Sequence, residues 1–213
     1  MIPAHGTCRG FVLAGGKSRR MGQDKALLPF GGRPLALRAA ELVRQVCGDV
    51  TFVGGARKYA AFGFPAIEDA FPDRGPLGGI HAALQHSDAR FTLIVGCDMP
   101  YLTPDFLEFL LRVAQETEAD AVVPESEEFG YEPLCAVYAR SCLAPIERGL
   151  QENRCKISQV FGQLRLRRIP PAEWKPYDPD GRLFQNLNTL EDYERARREL
   201  WLRVPEAPAG KEE

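Results

Sequence analysis

FVLAGGKSRRMGQDKALL, residues 11–28, passes from an apolar run into three small residues and then a cationic loop. Phe11-Val12-Leu13 reads as a strand that stops at Ala14-Gly15-Gly16. Lys17, Arg19, Arg20 and Lys25 follow. Gly15 and Gly16 carry no side chain, so their backbone N–H groups can lie directly against a phosphate. Arg and Lys add mobile positive charge where a polyphosphate needs neutralising. Such a loop at the carboxyl end of a first strand is where open α/β sheets bind ligands.

Two generic phosphate loops do not fit. A Walker A loop needs G-x-x-x-x-G-K-[ST]. Gly10 and Gly15 have the glycine spacing, but Gly16 follows Gly15 and Lys17 comes one place late. The intervening Phe11 to Ala14 are apolar and read as strand rather than loop. No G-x-G-x-x-G is present either.

Further along the chain, strand-like and helix-like runs alternate. Pro34 to Val46 has helical apolar spacing at Leu35, Ala39, Leu42 and Val46. Val50–Val53 and Ala66-Ile67 read as strands, and Gly78 to Gln85 as a helix after a glycine turn. Phe91 to Val95 is a nearly continuous apolar run, as a strand buried on both faces requires. Thr103-Pro104 opens a helix to about Glu116, with a cap residue before Pro at the first helical position. Ala121–Val123 and Leu134–Tyr138 read as strands, and Ser141 to Leu150 as a helix. Thr189 with Asp192 resembles a capping box opening a last helix to about Leu202. Residues 170–183 read as a long Pro-rich loop. The alternation predicts an α/β fold with a mostly parallel sheet in three layers.

At 213 residues one domain is expected, over 1–203, with a flexible tail at 204–213 rich in Pro, Ala, Gly and charge. A net charge of −2 gives no electrostatic case for nucleic-acid binding. No apolar stretch is long enough for a membrane span, and the N-terminus lacks a signal-peptide core. The six cysteines include no C-x-x-C pair and read as reduced thiols of a cytoplasmic protein. Cys135, Cys142 and Cys155 read as small apolar fillers. His5, His81 and His86 show neither triad nor metal spacing.

The pattern L-A-G-G-x-S-R-R-M-G-x-D-K resembles the signature of the molybdenum cofactor guanylyltransferases, within the wider nucleotidyltransferase family. GPLGG at 75–79, CDMP at 97–100, EPLCAVY at 132–138 and NLNT at 186–189 resemble further family blocks, in the expected order. The resemblance covers about residues 9–200. It implies a Rossmann-like nucleotidyltransferase fold and transfer of GMP from Mg²⁺-bound GTP to molybdopterin, releasing pyrophosphate. The alternatives are a cytidylyltransferase for molybdopterin or another phosphorylated substrate, and a non-catalytic nucleotide-binding regulator. Partners would be GTP, molybdopterin and a protein that delivers this labile cofactor.

The resemblance implies a nucleotide site lined by Leu13, Ala14, Gly15, Gly16, Lys25, Asp69, Gly78 and Asp98. Lys25 would offset charge on the α-phosphate, and Arg19 would grip the β- and γ-phosphates. Asp24 would orient Lys25 or Arg19 by an ion pair. Asp98 emerges after a buried strand, where a hard oxygen ligand facing phosphates suits Mg²⁺. Asp69, in preference to Glu68, would accept from guanine N1–H and N2–H₂. Where relatives carry a polar residue near the base, this chain has Gly54-Gly55-Ala56-Arg57. Asn186 and Asn188, two apart on an extended segment, are candidates for the acceptor, and Arg154 and Lys156 for its phosphate.

Overall fold

The strand that ends at Leu13, before the glycines and cations, is an interior strand, third of seven in the main sheet. The computed structural model describes residues 7–15, 24–72, 74–126 and 130–203. In chain order, β1 (Cys8–Leu13) is followed by a single 3-10 turn (Lys25–Leu27) and a hairpin of β2 (Pro29–Phe30) and β3 (Arg33–Pro34). Next come α1 (Leu35–Cys47), β4 (Thr51–Val53), α2 (Ala56–Tyr59), β5 (Ala66–Ile67) and α3 (Pro76–His86). Then follow β6 (Phe91–Gly96), α4 (Pro104–Glu116), β7 (Ala121–Pro124) and β8 (Cys135–Ala139). The chain closes with α5 (Leu143–Gln151), α6 (Ser158–Phe161), β9 (Leu166–Ile169), α7 (Pro171–Trp174) and α8 (Leu190–Arg203).

Seven strands form one sheet in the order β5-β4-β1-β6-β8-β7-β9. All neighbours are parallel except β8, which runs antiparallel between β6 and β7. Among its described residues the β7–β8 connection contains no helix, and a parallel return needs a crossover of about a dozen residues or more. The antiparallel strand therefore slots into the gap that the α4 crossover leaves between β6 and β7.

Alternate residues along each strand face opposite layers. Val12, Phe52, Leu93 and Val95 pack with α1 and α4 on one face. Phe11, Val53, Ile94 and Tyr138 pack with α3, α5 and α6 on the other. The three-layer, mostly parallel α/β fold is thus as expected. The loop expected over 170–183 instead carries α7 and a 3-10 turn over Lys175–Tyr177. Trp174 anchors it, buried in the α1–α4 layer, with Nε1 donating to the Glu125 carbonyl at 2.7 Å. A single buried indole gives no periodic signal, so the proline count misleads. Among the described residues no helix is long and apolar enough to cross a membrane.

Asp120 stitches the far edge of the sheet together. Its carboxylate accepts from the Arg165 N–H at 2.9 Å, the Arg165 guanidinium at 3.2 and 3.3 Å, and Ser141 Oγ at 2.7 Å. The Arg165 side chain beside it, against partial burial, brings the Asp120 carboxyl down to about 2. The folded value lies below the unfolded value, so this stabilisation is complete above about pH 4 and fades as pH falls toward about 2. Asp120→Asn is expected to cost about 1 kcal/mol at neutral pH and much less at the acid end of that window. Urea unfolding at the two pH values checks it; an equal cost at both would exclude the charge as the cause.

Candidate active site

Three strand ends converge at one edge of the sheet. Leu13 pairs with Val53 of β4 and with Gly96 of β6, so the chains leaving β1, β4 and β6 emerge side by side. Past Leu13, the Ala14 and Gly15 amides both donate to the Val53 carbonyl at 3.2 Å, and the Cys97 amide donates to the Leu13 carbonyl at 3.2 Å. The Gly15 N–H, expected against a phosphate, is therefore used within the sheet. What Gly15 offers is an exposed backbone free of side chain. Gly16 and Arg19 lie outside the described residues, as do Lys17, Arg20 and Met21.

Gly54 shapes this crossing from below. Its φ is +83°, and a Cβ there would lie 2.8 Å from the Gly15 Cα. Only glycine tolerates both. Tyr59, buried on α2, donates its hydroxyl to the Ala14 carbonyl at 2.8 Å. The Gly54–Arg57 stretch, expected near the base, thus begins the segment that packs against Ala14 and Gly15. Tyr59 was missed in the sequence, because one aromatic at the end of a single helical turn carries no motif.

Lys25 opens the 3-10 turn that Asp24 caps, Asp24 Oδ1 accepting from the Ala26 amide at 3.1 Å. Lys25 Nζ lies 2.5 Å from Asp98 Oδ2, across 73 residues of sequence. Both side chains are largely shielded, at 24% and 15% exposure, so each charge is compensated where isolated charge is costly. Asp98 stands two residues beyond β6, and its Oδ1 lies 2.7 Å from where a Cβ on Gly96 would be. Asp24, expected to orient Lys25 or Arg19, pairs through Oδ2 with Lys58 Nζ at 3.0 Å, a cation with no motif in the sequence; Arg19 lies outside the described residues.

Asp69 faces this edge from the turn after β5. Oδ1 accepts from the Phe71 amide at 2.8 Å, an Asx turn. A Cβ on Gly78 would come within 2.5 Å of Oδ2 and 2.8 Å of the Phe71 carbonyl, so the glycine turn lets α3 press against the carboxylate. Leu13 reaches the same turn, its side chain packed on Gly79. Burial pushes the Asp69 carboxyl up, against the Phe71 hydrogen bond and the nearby His81.

The carboxyl-terminal part closes the other side. The Leu187 amide donates to the Asp98 carbonyl at 2.9 Å, placing Asn186 and Asn188 on either side of that anchor. Leu187 is buried, Asn186 half-buried and Asn188 exposed. The reciprocal Thr189–Asp192 cap is present, at 2.9 and 3.1 Å. Helix α8 then covers Leu28 and Phe30, with Tyr193 donating to the Pro29 carbonyl at 2.7 Å. Cys155, expected as a buried filler, is exposed, because its loop runs over the surface beside Gly75. In that loop Arg154 pairs with Glu152 at 2.7 Å. Among the described residues no group of three or more His, Cys, Asp or Glu side chains could hold a metal on its own.

The family described as the MobA-like NTP transferase domain matches residues 10–167. A molybdenum cofactor guanylyltransferase from Desulfosudis oleivorans is 39% identical over 189 residues, covering 88% of this chain and 93% of that protein. One from Syntrophotalea carbinolica is 31% identical, covering 88% and 90%. Among solved structures, molybdopterin-guanine dinucleotide biosynthesis protein A from Archaeoglobus fulgidus superposes with a TM-score of 0.80 at 28% identity, covering 91% of this chain and 99% of that one. The end of β1 from Gly10 on, the Lys25–Asp98 pair and the glycine turn fall within the matched segment, and the chain belongs to the MobA-like NTP transferase family of nucleotidyltransferases.

Proposed function

We propose that this chain transfers GMP from GTP to molybdopterin and releases pyrophosphate. The observation that carries the reading is the Lys25–Asp98 pair at the carboxyl ends of β1 and β6, with Asp69 and the glycine turn on the neighbouring side. The names of the relatives supply the nucleotide and the acceptor.

A terminal phosphate oxygen of molybdopterin forms a bond to the α-phosphorus while the bond to the bridging β-oxygen breaks. The electron pair leaves with pyrophosphate. A phosphate nucleophile needs no strong base, so the task is positioning and charge neutralisation. Lys25 sits to offset charge building on the α-phosphate. Arg19, from its place in the loop motif, takes the β- and γ-phosphates. Asp98 would hold Mg²⁺, a fit supported by its being a shielded carboxylate two residues past the carboxyl end of β6. Bound there, the ion would supply positive charge to the phosphate oxygens. Asp69 receives the guanine N1–H and N2–H₂ donors, with Gly78 beneath it. Asn186 and Asn188 turn toward the acceptor, whose pterin presents donors and acceptors side by side. The workplace is a reducing cytoplasm, which would keep the six cysteines as the free thiols they are here.

Calorimetry with GTP, CTP, ATP and UTP, each with and without Mg²⁺, tests the assignment. GTP should bind tightest and Mg²⁺ should strengthen it. Equal or tighter CTP binding would replace the guanylyl transfer with cytidylyl transfer.

A further inference from the structure

Beneath the base-recognising turn lies a buried histidine that the reaction leaves unused. His81 stands three residues after Gly78 on α3, hence on the same helix face, and is 1% exposed. Neither ring nitrogen has a hydrogen-bond partner. A buried polar ring without a partner is costly, so its place here needs a reason.

The surroundings of the ring supply one. Phe71 meets it edge-on, with centroids 5.0 Å apart and planes at 90°. The backbone of Phe71 is the donor that holds Asp69 Oδ1. The ionisable groups that face the imidazole are both carboxylates: Asp69 on the turn after β5, and Glu147 of α5, whose Oε1 lies 4.0 Å from Nε2. Glu68 adds a further negative charge next to Asp69. The ring thus touches the residue that positions Asp69, and its charge state is coupled to that of Asp69.

We propose that His81 is a positioning residue for the guanine edge: packed on Phe71 and facing Asp69 and Glu147, it keeps the Asp69 carboxylate in place and ionised. The inference rests on the assignment of Asp69 to the base. A carboxylate accepts both guanine donors, whereas a protonated carboxyl turns one oxygen into a donor and loses an acceptor. Burial pushes the Asp69 carboxyl up and the His81 imidazole down. Each opposes the other's shift, since an imidazolium favours the carboxylate and the carboxylates favour the imidazolium. As pH falls, His81 gains positive charge where Asp69 would otherwise lose its negative charge. Guanine recognition is thereby carried to lower pH.

Steady-state transfer with GTP varied from acid to neutral pH tests this in His81→Gln, Asp69→Asn and the double variant. His81→Gln should raise KM for GTP several-fold in acid and move the acid limb of 1/KM up by about half a pH unit. Its kcat should stay within about two-fold of the native value. In the Asp69→Asn background, His81→Gln should add nothing. A second readout needs no His81 variant: by nitrogen-labelled imidazole NMR, the His81 titration midpoint should fall when Asp69→Asn is introduced. If Asp69→Asn leaves KM for GTP unchanged, the guanine assignment itself fails. If Asp69→Asn raises that KM but the His81 titration and the acid limb do not move, the role of His81 alone is overturned.

Discussion

Asp98→Asn is expected to lower turnover at saturating GTP by at least ~10²-fold, while the chain still folds. The carboxylate leaves the fully buried strand β6 at its carboxyl end and is only 15% exposed. A neutral amide oxygen is a much poorer ligand for a hard dication than a carboxylate. The structural work of residue 98 is done by its backbone, whose carbonyl accepts from Leu187 at 2.9 Å, and Asn retains it. Shape is retained too: the side chain lies tight over Gly96, where a Cβ would be 2.7 Å from Oδ1, and Asn fills the same volume. Lys25 loses this one ion pair, and with its side chain 24% exposed about 1 kcal/mol of stability is at stake. Transfer rates at several Mg²⁺ concentrations, with thermal unfolding alongside, measure both effects. Near-native turnover at saturating Mg²⁺ would remove Asp98 as the metal ligand. A large drop in Tm would make the loss structural.

Lys25→Ala should cost about 10²-fold in kcat with only a small rise in KM for GTP. The Lys25 charge is compensated by Asp98 at 2.5 Å. That pairing limits what Lys25 contributes to ground-state binding. Its charge is worth most when negative charge builds at the α-phosphate, and an interaction made only in the transition state shows in kcat. The 3-10 turn should persist, because Asp24 caps it through the Ala26 amide and Leu28 donates to the residue 25 carbonyl, both present in Ala. Single-turnover rates and GTP affinity, measured separately, decide the matter. An intact kcat with KM raised tenfold or more would make Lys25 a binding residue and move the α-phosphate task elsewhere.

Much of this was legible in the sequence because it is local. Thr103 before Pro104, and Thr189 three residues before Asp192, place helix starts through hydrogen bonds that span a single turn. The unbroken apolar run Phe91–Val95 announces a strand covered on both faces, and all of β6 is buried. Gly15, followed by cations after an apolar strand, points to the proposed nucleotide site, since side-chain-free backbone and positive charge are what a phosphate requires. Asp69, Lys25 and Asp98 could each be singled out one at a time, by residue type and by position relative to a strand or glycine turn.

What joins them was not local, and tertiary structure alone decided it. Lys25 meets Asp98 across 73 residues because β1 and β6 are neighbours in register, a pairing no periodicity encodes. The antiparallel insertion of β8 follows from a short connection filling a gap left by a crossover, not from the residues of β8. Tyr59 and Gly54 hold Ala14 and Gly15 through one hydroxyl and one close backbone approach, neither of which leaves a pattern. The Leu187 amide meets the Asp98 carbonyl across 89 residues, in the same region where α8 packs over Phe30. Residue chemistry and short-range hydrogen bonding determined which groups could act and where strands and helices begin. Burial of the two sheet faces determined which of those groups stand together, because only the packed layers repay the entropy of closing such long loops.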